Sequence, residues 1–496
     1  MPRHSLFRPG LVGACLLLTG AGTLAAQSPA PTATPPAANS AAPAVTLDAW
    51  LVSPTLWQTT PEQVPNGRAL GLHWVSNAHD AARTSKATLT LRDLPVAEMI
   101  IRFSPVAAGP VPAPAASPGV APAPAVAAAA AGKTVVSGVQ VSIYNRGDAG
   151  DLEQRPFDAL VEQARVALNA LTGATATNRG VDNTSAVQSR GLVWTTTASR
   201  FLLEWSATPE NKAQGVPYRA EFLRLKVTPA MDQPKTALEQ MRAAGAPAAP
   251  ASKAVTVRAT ELPARVVKDP DGGEWLPKIP MVDQGQKGYC VTAATERVLR
   301  YYGVETDQNE LAQIANTATT GGTSTADMVA ALKKLAGRFR VNVVTQQELT
   351  YSDFLREIND YNRAVRSAPK GTTAAPIDTR GDSLSYDTVL SQMNGEVLRD
   401  ARTKFNPAYL TKFERDIQGR IARGIPLLWS VYLGLLPEAK VSAQSHGGHM
   451  RLIIGYNAKT KEVYYSDTWG LGHELKKMPL ADAWTITDGL FTLEPI

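Results

Sequence analysis

The chain has 496 residues, too many for one ordinary hydrophobic core, so two or more domains are expected. Its 44% hydrophobic and 19% charged residues exclude a chain that is disordered throughout. A formal charge of +6, spread over 50 basic and 44 acidic residues without a Lys/Arg run interleaved with aromatics, argues against nucleic acid as a partner.

Arg3 and Arg8 precede an apolar stretch, Leu11 to Ala26, broken by Gly13, Gly20 and Gly22 and followed by polar, Pro-rich sequence. This predicts a cleavable signal peptide over residues 1–26, no stable membrane insertion, and a secreted or periplasmic protein. Its removal takes Cys15 with it and leaves Cys290 as the one cysteine, which then has no internal disulfide partner. Residues 27–46 are rich in Ala, Pro, Thr and Ser and read as a flexible leader.

Residues 47–230 read as a β-rich α+β domain. Apolar alternation at 87–91, 99–103 and 139–144 predicts strands, as do the stretches 190–205 and 218–227. Between them, Leu160, Val161, Ala164, Leu168 and Leu171 form one face of a helix over 157–171. An Ala/Pro tract at 107–132 reads as an insertion in a surface loop, and a second tract within 231–254 as an interdomain linker. Arg146-Gly147-Asp148 reads as a turn.

Residues 255–496 form the second unit. Its first half is predicted helical, with stripes over 290–302 and 328–335; its last part is predicted as strands at 427–431, 450–456 and 463–466. Phe413, Ile417 and Ile421 recur every four residues before Gly424 and mark a core-facing helix.

The chemistry gathers in this unit. Cys290 stands where the Gly-rich segment Gln284 to Tyr289 runs into a helix, and a sulfur at a helix N-terminus is biased toward thiolate. Nucleophilic attack near neutral pH needs a second group, such as an imidazolium, and this unit offers His446, His449 and His473. His449 opens an apolar run and is favoured. An imidazole held in one tautomer needs an acceptor, and the strand 463–466 delivers Asp467, which by itself would read as a turn residue.

Asp283-Gln284-Gly285-Gln286-Lys287-Gly288-Tyr289-Cys290 resembles the nucleophile segment of the papain-like cysteine peptidase superfamily, clan CA. His449 through Gly455-Tyr456 is similar to its histidine strand, and Asp467-Thr468-Trp469-Gly470 to its Asn-Ser-Trp-Gly segment. Asp in place of Asn points to the branch resembling bacteriocin-leader (double-glycine) peptidases. The resemblance implies a fold with a helical half and an antiparallel-sheet half. It also implies Cys290 as nucleophile, His449 as base, Asp467 as orienter, Gln284 as oxyanion donor with the Cys290 N–H, and Trp469 as a shield. No Trp follows Cys290, and residues 345–424 fall outside the resemblance.

The expected activity is thioester-mediated hydrolysis of a peptide or protein substrate, without cofactor or metal. The alternatives are a transglutaminase-like acyl transferase, which shares the order Cys, His, Asp, and a catalytically inactive secreted binding protein.

Overall fold

The computed structural model describes residues 45–64, 71–84, 89–105, 134–182, 187–230, 255–285, 287–304, 306–317, 325–379, 385–439 and 446–496. The expected signal peptide, the leader up to residue 44, the insertion 107–132 and the linker 231–254 lie outside the described residues.

The N-terminal part is built on an eight-stranded antiparallel sheet. Its order is Leu72–Trp74, Ala81–Thr84, Glu98–Pro105, Thr134–Asn145, Arg219–Pro229, Ser199–Thr208, Ser189–Thr195, Thr177–Asp182. Alternation decides which side chains enter the core: along Ser199–Thr208, Phe201 and Leu203 are buried and meet Leu223, Leu225 and Val227 of the neighbouring strand. The helix Gln154–Thr172 lays Phe157, Ala164 and Leu168 into this core and stops at Gly173, whose φ of +65° suits a residue without Cβ. Each such large side chain removed from water contributes about 1.5–3 kcal/mol.

The C-terminal part is also α+β. Its sheet runs Val267–Lys268, Gly273–Trp275, Gly447–Asn457, Leu427–Leu433, Thr487–Pro495, Val341–Glu348, and Glu462–Ser466 pairs with Gly447–Asn457 as well. The helix Cys290–Tyr301 packs on one face through Val291, Ala294 and Val298, which join Met450, Leu452 and Ile454 in a single apolar cluster. Trp429, Val431, Ile453 and Tyr465 line the opposite face, against the helix Pro407–Ile421. The stretch between Val341–Glu348 and Leu427–Leu433 is largely helical. It has its own core of Phe354, Ile358, Tyr361, Leu390 and Leu398, which reaches the sheet at Tyr432. Among the described residues no helix is long and apolar enough to cross a membrane.

Candidate active site

The segment before Cys290 folds on itself. Gly285 takes a φ of +69°, and its N–H donates to the Asp283 carboxylate at 2.8 Å, closing a tight turn. Gln284 is fully buried and anchored on all sides: its N–H donates to the Thr468 carbonyl at 2.8 Å, its Nε2 to the Lys287 carbonyl at 3.0 Å, and Thr468 Oγ1 donates to its Oε1. The plane of the Gln284 carboxamide is therefore fixed. Cys290 follows as the first residue of its helix, 5% exposed, in the apolar cluster that contains Met450, the neighbour of His449.

His449 sits near the start of the strand Gly447–Asn457 and is buried. Its Nε2 lies 3.3 Å from Asp467 Oδ1, a close polar contact rather than a well-aligned hydrogen bond, since neither ring nitrogen has a hydrogen-bond partner of good geometry among the described residues. Trp469 stacks on the imidazole, with centroids 4.4 Å apart and planes 16° from parallel, and so covers the His449–Asp467 contact. The other two candidate imidazoles stand apart from this role. His446 is exposed, and His473 reaches Asp467 Oδ2 only at 3.8 Å while its carbonyl accepts the Asp467 N–H.

Asp467 is fully buried and serves more groups than sequence reasoning assigned to it. Arg451 Nε donates to Oδ1 at 2.7 Å, and Lys476 Nζ to Oδ2 at 2.7 Å. Arg451 is in turn held by Glu438, with Nη1 to Oε1 at 3.0 Å and Nη2 to Oε2 at 2.9 Å, and it lies over the Tyr465 ring at 4.8 Å. Burial works to raise the Asp467 pKa, yet Arg451 and the two imidazoles outweigh it and hold the carboxyl well below its usual range.

The same surroundings act on His449. Burial pushes the imidazole below its ordinary value, Asp467 pulls it up, and the Arg451 and Lys476 charges push it down again. An imidazolium at rest is therefore disfavoured, contrary to the expectation that a charged His449 would accompany the thiol. The physical reason is first the burial of the ring, with the Arg451 and Lys476 charges working in the same direction.

Arg297 links the two halves of the site. It lies two turns along the helix from Cys290, is 1% exposed, and donates from Nη1 to the Asp467 carbonyl at 2.6 Å and from Nη2 to Ser466 Oγ at 2.7 Å. Its Nε donates to the Pro280 carbonyl at 2.8 Å, just before the Gln284 segment. Burial brings this guanidinium down to about 10. Arg451, Lys476, Glu438, Thr468 and Arg297 were not singled out from sequence. One signal was present: Arg451 follows His449 by two residues in an otherwise apolar strand, so it shares the His449 face, and a charge there requires a partner.

Residues 369–490 match the model of the family described as Peptidase_C39 like, so this part of the chain is related to the C39-like cysteine peptidases. The match contains His449 and Asp467, begins well after Cys290, and takes in residues 369–424, the larger part of the stretch 345–424 that the resemblance had left uncovered. Among solved structures, xylellain, a cysteine protease from Xylella fastidiosa, is similar at 15% identity over 49% of this chain and 92% of its own, with a TM-score of 0.23. No curated protein matches the chain.

Proposed function

We propose, from the relationship of residues 369–490 to C39-like cysteine peptidases, that the protein is an exported peptidase that hydrolyses peptide bonds through a thioester on Cys290. The observation that carries this reading is the Arg297 clamp, which ties the Cys290 helix to the main chain of Asp467, the residue that meets His449. In this reading Nε2 of His449 faces Asp467, and Nδ1 takes the proton from the Cys290 thiol as sulfur attacks the scissile carbonyl. The C–S bond forms, the oxyanion is met by the Cys290 backbone N–H and the second N–H of the Gln284 carboxamide, and the C–N bond breaks as His449 passes its proton to the leaving amine. Water then attacks the thioester with His449 as base, the C–S bond breaks, and the thiol is restored. A signal peptide over residues 1–26 and a single remaining cysteine both suit a protein acting outside the cytoplasm.

The test is incubation of the full chain with a mixed-sequence peptide library, read by mass spectrometry, with and without prior alkylation by iodoacetamide. Hydrolytic fragments that vanish on alkylation of Cys290 are expected. Amine-linked adducts instead of free acids would establish the acyl-transferase alternative, and absence of any product would establish the inactive one.

The depressed His449 also sets the pH dependence. The acid limb of kcat/KM should lie below the ordinary imidazole value of about 6.5, because His449 must be neutral to accept the thiol proton. Lys476→Met keeps a long unbranched side chain at this position but removes a charge that lowers His449, so the limb should move to higher pH. An unmoved limb would assign it to another group.

A further inference from the structure

The segment from Asp283 to Tyr289 is gripped on alternate residues by the N-terminal domain. Asp283 receives Arg83 Nη1 at 2.9 Å and faces His73 Nε2 at 3.6 Å; these contacts outweigh burial and hold its carboxyl at about 2. Gly285 lies against the Arg83 guanidinium so closely that a Cβ there would come within 2.4 Å of it. Lys287, with a side chain 1% exposed, places Nζ 2.9 Å from Asp148 and 3.6 Å from Glu98. Tyr289 packs its ring on Gly147, where a Cβ would lie 2.4 Å from the phenol oxygen, and meets Asn145 Oδ1 at 3.4 Å. Gln284, which lies between the first two of these, and Cys290, which follows the last, belong to the candidate site.

We infer that the N-terminal domain completes the catalytic centre, with Arg83, Glu98 and Asp148 acting as positioning residues that hold the Gln284–Cys290 segment in register. The inference rests on the peptidase reading of Cys290 and deepens it. Arg146-Gly147-Asp148, expected as a turn, forms a helical turn at the end of the strand Thr134–Asn145, and that turn delivers Asp148 to Lys287. A long, flexible lysine is seldom this deeply buried; here two carboxylates from the other domain compensate it. Further along the same contact, Arg224, 1% exposed, pairs with Glu204 of its own sheet and with Glu310 at 2.7 Å and Asp307 across the interface. Without the N-terminal domain Lys287 would lose Asp148 and Glu98, and Asp307 and Glu310 would lose Arg224, so the two domains, though separate in sheet and core, act as one unit around the segment. Lys287 matters most for geometry because its carbonyl accepts the Gln284 Nε2 hydrogen bond: a displaced Lys287 rotates the proposed oxyanion donor.

The experiment uses the full chain and one peptide selected from the library. Lys287→Met should lower kcat about 10- to 100-fold while KM stays within about twofold, as expected for a donor misplaced in the transition state only. Lys287→Arg should recover part of the loss. Asp148→Asn, at a position partly open to solvent, should fall in the same direction by less, and it decides by the same criterion if Lys287→Met does not fold. Alkylation of Cys290 by iodoacetamide should slow in parallel with kcat in both. A wild-type kcat in folded variants, or a loss that tracks the unfolded fraction, would overturn the inference, and so would a rise in turnover, which would make the contact a restraint on the site. Cys290→Ala run beside them separates the two readings: turnover surviving there would sink the peptidase assignment itself.

Discussion

Cys290→Ala should remove turnover, by at least about 10³-fold, while leaving the fold in place. The substitution takes one sulfur from a side chain that is already small, at the first residue of a helix whose packing is carried by Val291, Ala294 and Val298, so the cost to stability should be about 1 kcal/mol. His449→Ala should be nearly as severe, and the double variant no worse than either alone, because a nucleophile and the base that deprotonates it act as one unit. The measurement is kcat/KM for the two single variants and the double, with circular dichroism to confirm folding. Multiplicative losses would show that His449 is not the base, and residual activity in Cys290→Ala would move the chemistry elsewhere.

Asp467→Ala should be the most destabilising single change in the C-terminal domain. It removes the buried carboxylate that His449, Arg451 and Lys476 share, while Arg451 keeps its pairing with Glu438. Breaking a buried pair from one side costs about 3–5 kcal/mol, which for a domain of this size corresponds to a fall in Tm of about 10 °C. Asp467→Asn should lose less. Its Oδ1 still accepts from Arg451 and faces His449, but its Nδ2 opposes Lys476 Nζ donor to donor. Thermal unfolding of the three proteins at neutral pH checks this order. An unchanged Tm in Asp467→Ala would mean that Arg451 and Lys476 find other partners and that Asp467 is not the hub the contacts describe.

That hub alters what the carboxylate does. An Asp facing an imidazole raises its pKa; around His449 burial, and after it the Arg451 and Lys476 charges, work the other way, and the net direction is down. In the proposed reading Asp467 acts on His449 by orientation, and Trp469 stacks on the ring that it orients. Asp467→Asn should accordingly impair turnover less than Asp467→Ala.

Local sequence determined much of this protein. Alternating runs placed strands of the N-terminal part, short apolar runs placed those of the C-terminal part, the 3.6-residue stripe after Cys290 placed its helix, and the Gly-rich segment marked the turn next to Gln284. His449 and Asp467 were legible as candidates because each stands at an end of an apolar strand, where a polar residue breaks the run. What the fold added depends on register and distance. Arg451 meets Asp467 because Leu452 pairs with Ser466 across neighbouring strands, and Lys476 arrives from nine residues further on. Lys287 meets Asp148 across 139 residues of chain. Periodicity reports which side of an element faces inward, because burial repeats with the geometry of the backbone. It carries no record of which buried charge answers another, since Coulombic pairing depends on the separation of groups in space, and tertiary packing alone sets that separation.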